Sequence, residues 1–186
     1  MTSIAEAFAS FSREAWRLEA RDLYRVPEYD EQIAAWQAGE PMPPRQDGWD
    51  EVLRDSAARG ARISRTRLVG HPLTDYTCWE FELYRDNVEL GEDIRVVDRT
   101  WLDGSWAHAS DVWLFDDQLA FRQDYAADGT YLGATEIDPT QAIAMRRALA
   151  PISVPAAEYR LTDIPTPRPE STAPAEPLPG AAHTAP

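Results

Sequence analysis

The spacing of apolar residues changes at about residue 60, from the period of helices to the alternation of strands. This change restricts the chain to folds that combine helices with a sheet. The first apolar stripe steps by three and four and predicts a helix over about 3–18, with Ser3 and Glu6 as a capping box. Two more helices are expected over about 30–38 and 48–59, because a glycine follows each. The first third of the chain is therefore expected to be helical.

Strand patterns predominate between residues 60 and 137. Residues 62–69 and 94–99 each predict a strand, and further strands are expected between 112 and 137, around turns at Asp116-Asp117 and Asp128-Gly129. The second turn is a strong hairpin signal, because glycine accepts the positive φ that tight hairpin turns need. These patterns predict a sheet in the second half of the chain.

Two helices are expected within and after this sheet. Residues 74–85 fit both a helical face and the alternation of a strand. We favour a helix there, because Thr74-Asp75 is typical of a helix start. Asp138-Pro139 opens the last helix, since Asp can cap it and proline is tolerated at the first helical position.

The expected architecture is α+β in a single domain over residues 1–162. A helical part (1–60) packs on a mixed sheet of about four strands that is flanked by helices (61–160). Residues 163–186 differ in composition, because they hold 7 of the 15 prolines and no aromatic residue. Proline fixes φ and removes a backbone donor, so we expect a disordered, proline-rich tail.

The composition excludes several classes of function. Asp and Glu total 32 against 18 cations, all of them arginine, and the net charge of −14 opposes nucleic-acid binding through bulk charge. Without lysine the chain has neither a Schiff-base lysine nor a P-loop lysine. One cysteine excludes an intramolecular disulfide and a cysteine-based zinc site. We therefore expect no cofactor and no metal.

The hydropathy of the chain predicts no membrane partner. No apolar run approaches the roughly 18 residues of a membrane span, and no signal peptide opens the sequence. We expect a cytoplasmic protein with neither a membrane nor a nucleic acid as its direct partner.

Carboxylates and one histidine are the candidate catalytic groups. A carboxylate-based enzyme would use Asp116 or Glu82 as general acid or base, aided by His108. The simpler interpretation, which we favour, makes Asp116 a turn residue and His108 a loop histidine with ordinary hydrogen bonds. On a helix, Glu80 and Glu82 would point in nearly opposite directions and could not act together.

The tryptophans Trp101, Trp106 and Trp113 are the candidate partner-binding residues. Trp101 and Trp106 lie in a polar loop over 100–110, where aromatic side chains can form an interface or a pocket wall. Trp113 follows that loop, and core packing is its simpler interpretation. The arginines concentrated between residues 54 and 67 are expected to pair with carboxylates of the same chain, because acidic residues are in excess.

Five segments carry a resemblance to a known family: FSREAWRLEARDLYRV, HPLTDYTCWEFELY, GEDIRVVDR, SDVWLFDDQLAFRQDY and DGTYLGATEID. Through them, about residues 6–160 resemble an actinobacterial family of unknown function, most specifically in GEDIRVV and VWLFDD. Members of that family are often encoded near helix-turn-helix regulators. The resemblance implies a regulatory role and a helix-turn-helix regulator as partner.

The order of GEDIRVVDR, VWLFDDQLAF, a hairpin and the helix that opens at Asp138-Pro139 is also distantly similar to half of a phospholipase-D-like sheet. The stretch that corresponds to the catalytic motif of that group is HASDVWLFDD. Active members of that group need a His and a Lys two residues apart, ahead of an Asp. Here His108 is followed at Ser110 by no lysine. The resemblance therefore implies a sheet of this kind without its nucleophilic apparatus.

Three hypotheses for the function remain open. The first is a non-catalytic, cytoplasmic regulatory or interaction protein that binds a protein partner, with a homodimer as a further option. The alternative is a small-molecule enzyme of hydrolase or cyclase type that uses carboxylates in an aromatic-lined pocket. The third and weakest is an acidic mimic of DNA, which would need carboxylates spaced like phosphates on one face.

Overall fold

The computed structural model describes residues 3–162 and 176–178 and has the α+β architecture. Five α-helices occur in this part of the chain: α1 (Ile4–Ser10), α2 (Asp30–Ala38), α3 (Trp49–Ala58), α4 (Asp75–Glu89) and α5 (Pro139–Leu149). Its strands are β1 (Glu14–Glu19), β2 (Arg62–Val69), β3 (Asp93–Asp98), β4 (Asp111–Phe115), β5 (Leu119–Tyr125), β6 (Tyr131–Ile137) and β7 (Val154–Pro155). The predicted fold class is confirmed, whereas the prediction of about four strands was wrong, because seven strands form the sheet.

The seven strands form one mixed sheet in the order β6-β5-β4-β1-β2-β3-β7. Strands β1, β2 and β3 are parallel, and every other pair of neighbours is antiparallel. The connection from β1 to β2 contains α2 and α3, and the connection from β2 to β3 contains α4. The carboxyl ends of β1 and β2 therefore lie side by side, with Arg17 opposite Arg65 and Glu19 opposite Arg67.

The predicted first helix is too long, because α1 ends at Ser10 and residues 14–19 form the central strand β1. The capping box is confirmed: Ser3 N donates to Glu6, and Glu6 N donates to Ser3. Ala15 and Leu18 belong to β1, and they continue the three-and-four spacing of the first apolar stripe only by coincidence. Side chains on both faces of β1 are buried, so its few apolar positions do not reveal the period of a strand.

The helix predicted over residues 74–85 is confirmed as α4. Thr74 caps it, since its side chain accepts a hydrogen bond from Thr77 N at 3.1 Å. Asp138 caps α5 in the same way, with Thr140 N as donor at 2.9 Å. The loop predicted over 100–110 contains two short 3-10 helices, and the two-residue strand β7 was not predicted.

The sheet has an apolar core on each face. One core contains Leu18, Leu68 and Val97. The other contains Ala15, Ile63 and Phe115 and lies beneath α1 and α3, at the beginning of β1 and β2. On this second face the side chains change from apolar to charged toward the carboxyl ends of β1 and β2.

Most of the tail that was predicted to be disordered lies outside the described residues. Within it, residues 176–178 lie against the loop at 100–110: Trp106 Nε1 donates to Glu176 O at 2.9 Å, and Leu178 N donates to Ser105 Oγ at 2.6 Å. Among the helices of the described segments, none has the length and hydrophobicity that a membrane crossing requires.

Candidate functional site: a charged cavity with aromatic walls

A cavity of about 460 Å³ opens at the carboxyl ends of β1 and β2. Strands β1 and β2 form its floor, α4 forms one wall, and residues 24–29 and 45–49 form another. Eight aromatic side chains and several charged groups line it. Its place agrees with the general preference of ligands for the carboxyl ends of parallel strands.

Charged side chains on the floor form a buried network centred on Glu19 and Arg65. Arg65 Nη1 lies 2.8 Å from Glu19 Oε2, and Arg65 Nε lies 2.7 Å from Glu92 Oε1. Arg17 Nη2 lies 3.0 Å from the other oxygen of Glu19, and Tyr84 donates its hydroxyl to Glu19 at 3.0 Å. The parallel register brings these groups together, because it places Arg17 and Arg65 opposite each other on one face.

A second buried pair, Arg67 with Glu80 of α4, closes the back of the network. Arg67 Nε lies 3.0 Å from Glu80 Oε2, at an angle unsuitable for a hydrogen bond. Arg67 Nη1 donates to the backbone carbonyl of Arg21, while Arg67 Nη2 has no hydrogen-bond partner in the described segments. Arg67 is completely buried, so this pair exists without solvent screening.

Two buried carboxylates of the cavity, Glu19 and Glu80, have pKa values that are shifted in opposite directions. Burial favours the neutral form of Glu19, but the charges of Arg17, Arg65 and Arg67 outweigh it and lower the pKa of Glu19 to about 2. Burial raises the pKa of Glu80 to about 7, with Arg67 opposing the shift. Near neutral pH, Glu19 is therefore ionised while Glu80 exchanges a proton readily.

Three buried polar atoms of the cavity wall have no hydrogen-bond partner within residues 3–162 and 176–178: Trp79 Nε1, Glu80 Oε2 and Arg17 Nε. A buried polar group without a partner costs about 1–3 kcal/mol. Two of these atoms carry N–H donors, and one is a carboxylate oxygen. Glu80 Oε2 keeps its ionic contact with Arg67, whereas the N–H donors of Trp79 and Arg17 have no acceptor in these segments.

The aromatic rings that line the cavity contact one another at tilted and edge-to-face angles. The ring of Trp79 lies 5.0 Å from that of Tyr29 and 5.3 Å from that of Tyr76, measured between centroids. On the opposite side, Tyr125 lies 5.2 Å from Tyr24 and 5.4 Å from Tyr131. Burial raises the pKa of Tyr24 and Tyr76, so their hydroxyl groups stay neutral. Such a lining offers apolar ring surface to a ligand.

The catalytic candidates Asp116, Glu82 and His108 do not come together, and none of the three lines the cavity. Asp116 accepts hydrogen bonds from Ser12 N and Arg13 N, both at 2.8 Å, and anchors the start of β1. Glu82 forms an ion pair with Arg85 at 2.7 Å on the outer side of α4, and His108 lines a separate recess near Asp111. This arrangement gives no support to joint catalysis by these three residues.

The partner-binding candidates Trp101, Trp106 and Trp113 are buried, with exposed fractions of 6%, 1% and 3%. Trp101 and Trp106 belong to the core that contains Leu18 and Leu68, and Trp113 stacks on Phe115 with ring centroids 5.8 Å apart. These three side chains therefore offer a partner very little surface. Their role in partner binding stays a prediction.

Most of the cavity is not predicted by the sequence patterns. The arginines between 54 and 67 are predicted to pair with carboxylates of the same chain, and the contacts of Arg65 with Glu19 and of Arg67 with Glu80 agree with this. Arg17 was not among the candidates, because its segment was interpreted as helix. A usable signal was the occurrence of arginine at alternate positions, 65 and 67, within a strand. Within residues 3–162 and 176–178, no group of three or more His, Cys, Asp and Glu side chains is placed to hold a metal ion.

The model of a family described as Domain of unknown function (DUF6879) matches residues 2–161. No curated protein matches the chain. The matched region includes every helix and strand of the described structure, and therefore the whole cavity.

Proposed function

The chain belongs to the family described as Domain of unknown function (DUF6879), and from its cavity we propose that it is a non-catalytic regulatory protein that binds a small molecule. The ligand class that fits is a planar molecule with hydrogen-bond acceptors. The observation that carries the proposal is the set of buried, unpartnered polar atoms, Trp79 Nε1 foremost, inside aromatic walls.

The chemistry of the lining supports binding more than catalysis. No Ser, Cys, His or Lys occurs among the described residues that line the cavity. Arg65 and Glu19 already form an ion pair with each other. Neither side chain is therefore available as a nucleophile or as an acid. A pre-organised polar floor of this kind favours one orientation of a bound ligand.

A ligand screen tests the proposal. Pools of planar metabolites are mixed with the protein, and binding is followed by calorimetry and by the rise in unfolding temperature. We expect Trp79→Phe, which keeps a ring and removes the N–H, to weaken binding about tenfold. Trp101→Phe is the matched control, because Trp101 does not line the cavity, and it should bind as the native chain does. Equal binding by the Trp79 and Trp101 variants would contradict the proposal.

A small-molecule enzyme remains the second candidate, favoured by one specific observation. Glu80 has a pKa raised to about 7 and lies near Glu19, whose pKa is about 2, and such a difference suits a proton donor or acceptor. The test incubates the protein with any molecule that binds and follows product by mass spectrometry. Turnover that disappears in Glu80→Gln, with binding retained, would favour the enzyme over the non-catalytic regulator.

The proposal includes a protein partner, a helix-turn-helix regulator, and action in the cytoplasm. Its support is the resemblance to a family often encoded near such regulators, together with a net charge of −14 that suits a basic, DNA-binding partner. The distant resemblance to phospholipase D adds no activity, since the lysine is missing. Co-expression with a helix-turn-helix regulator of the kind encoded near members of the resembled family should recover a complex that weakens as salt is raised. Failure to recover any complex at low salt would contradict this part of the proposal.

A further inference from the structure

Residues 176–178, called the tail segment below, lie against the loop that precedes β4. Trp106 Nε1 donates to the backbone carbonyl of Glu176 at 2.9 Å, and the backbone N–H of Leu178 donates to Ser105 Oγ at 2.6 Å. Both hydrogen bonds are made with backbone atoms of the tail segment, so any peptide that presents a carbonyl and an N–H at this spacing can form them. The loop therefore has the hydrogen-bonding pattern of a peptide-binding groove.

The polar groups of this loop are oriented toward the tail segment by contacts within the loop. Ser105 N donates to Asp103 Oδ1 at 2.9 Å, and the hydroxyl of Ser105 donates to the same oxygen. Because the hydroxyl hydrogen points to Asp103, the oxygen of Ser105 can accept the N–H of a peptide. Trp106 is only 1% exposed, and the carbonyl of Glu176 is the acceptor for its indole N–H within the described residues. A buried N–H that loses its acceptor is unfavourable, so this position favours an occupied groove.

The side chains of the tail segment define the kind of peptide that fits the groove. Leu178 is half-buried and packs against the apolar core that contains Leu18. Glu176 lines a recess together with Arg147 of α5, so an acidic side chain and a cation share this recess. Pro177, between the two contacts, has no backbone N–H that needs an acceptor, and its fixed φ reduces the chain entropy that is lost on binding.

We propose that this groove binds a Glu-Pro-Leu peptide of a partner protein, and that the tail segment is a tethered copy that occupies the groove until such a partner competes for it. Thirteen residues, 163–175, separate the tail segment from the domain. A tether of this length gives a local concentration on the order of millimolar. The tail segment therefore determines how strongly a partner peptide must bind before it gains access. This surface is separate from the cavity, because neither Ser105 nor Trp106 lines the cavity.

Peptide binding to the full chain tests the proposal. The ligand is a synthetic peptide of residues 175–180, AEPLPG, with a dye at its amino terminus, and its binding is followed by fluorescence anisotropy. Leu178→Asp in the full chain places a charge against the apolar core and should release the tail segment. We expect this variant to bind the peptide about tenfold more tightly than the native chain does, because the tethered competitor is removed.

Leu132→Asp is the matched control, because it makes the same substitution at a residue of β6 that is 68% exposed and does not contribute to the groove. It should bind the peptide as weakly as the native chain does. Adding Ser105→Ala to Leu178→Asp removes the acceptor for the peptide N–H and should weaken binding about fivefold. Unfolding curves of all variants show that each one folds.

Three results would each overturn the proposal: equal peptide binding by the native chain and Leu178→Asp, no binding by Leu178→Asp, or undiminished binding after Ser105→Ala is added. A peptide in which aspartate replaces the leucine should not bind to any variant, and binding of this peptide would contradict the assigned role of Leu178. All measurements are made without a ligand in the cavity, so their outcome is independent of the proposed function.

Discussion

Glu19 and Glu80 belong to one buried network, yet each has a separate window of pH in which it affects stability. The pKa of Glu19 in the folded chain is about 2, below the usual value of 4.5, so its stabilising effect is present above pH 4.5 and is lost as the pH falls toward 2. We predict that Glu19→Gln lowers the free energy of unfolding by about 3 kcal/mol at pH 7. The difference from the native chain should shrink below pH 4.5.

Urea unfolding between pH 3 and pH 8 measures this effect. Glu51→Gln, on the exposed side of α3, is the control and should change the free energy of unfolding by less than about 0.5 kcal/mol. If Glu19→Gln behaves like Glu51→Gln at pH 7, the network around Arg65 contributes nothing to stability and our description of the cavity floor fails.

Glu80 has the opposite dependence on pH. Its pKa is raised from 4.5 to about 7, so the folded chain holds the proton more tightly than the unfolded chain does, and stability decreases as the pH rises through this range. Glu80→Gln mimics the protonated form and lacks this dependence. We predict that, relative to the native chain, the free energy of unfolding of the variant rises by up to about 3 kcal/mol between pH 4.5 and pH 8. Parallel curves of unfolding free energy for the two proteins would contradict the raised pKa.

At the scale of elements, the turn between β4 and β5 does more than reverse the chain. Asp116 and Asp117 both have positive φ, 53° and 62°, so alanine at either position meets the same backbone strain. Only Asp116 accepts hydrogen bonds from the backbone at the start of β1, including one from Glu14 N at 2.9 Å. Asp117 instead pairs with Arg146 on the surface.

We predict that Asp116→Ala lowers the free energy of unfolding by about 2 kcal/mol more than Asp117→Ala does, because it leaves backbone donors without an acceptor. Thermal and urea unfolding measure the stability of both variants. The backbone strain of alanine at positive φ is common to the two variants and cancels in the difference between them. Equal effects would mean that the turn conformation, and not the anchoring of β1, determines the stability of this corner.

Prediction from the sequence succeeded where local signals agree and failed where long-range pairing decides. The cap at Thr74 correctly favoured a helix in α4 despite the alternation that follows. Strand β1 was missed because its backbone is held by β2 and β4, which lie far away in the sequence, and because the charged residues Arg17, which is half-buried, and Glu19, which is buried, interrupt its apolar positions. The cavity was missed for the same reason, since its floor requires the register between β1 and β2.

At the scale of the whole molecule, an outer strand of the sheet reaches the cavity. Tyr131 is the first residue of β6 and also lines the cavity.

The positions of the tryptophans give the protein an intrinsic fluorescence signal that can report ligand binding. Of seven tryptophans, only Trp49 and Trp79 belong to the described residues that line the cavity. A planar ligand stacked against these indoles should quench or shift their emission, while the remaining five supply a constant background. Because the chain has no lysine, dyes directed at lysine side chains have nothing to label, and intrinsic fluorescence becomes the natural readout of occupancy. The signal should disappear largely in Trp79→Phe and persist in Trp101→Phe.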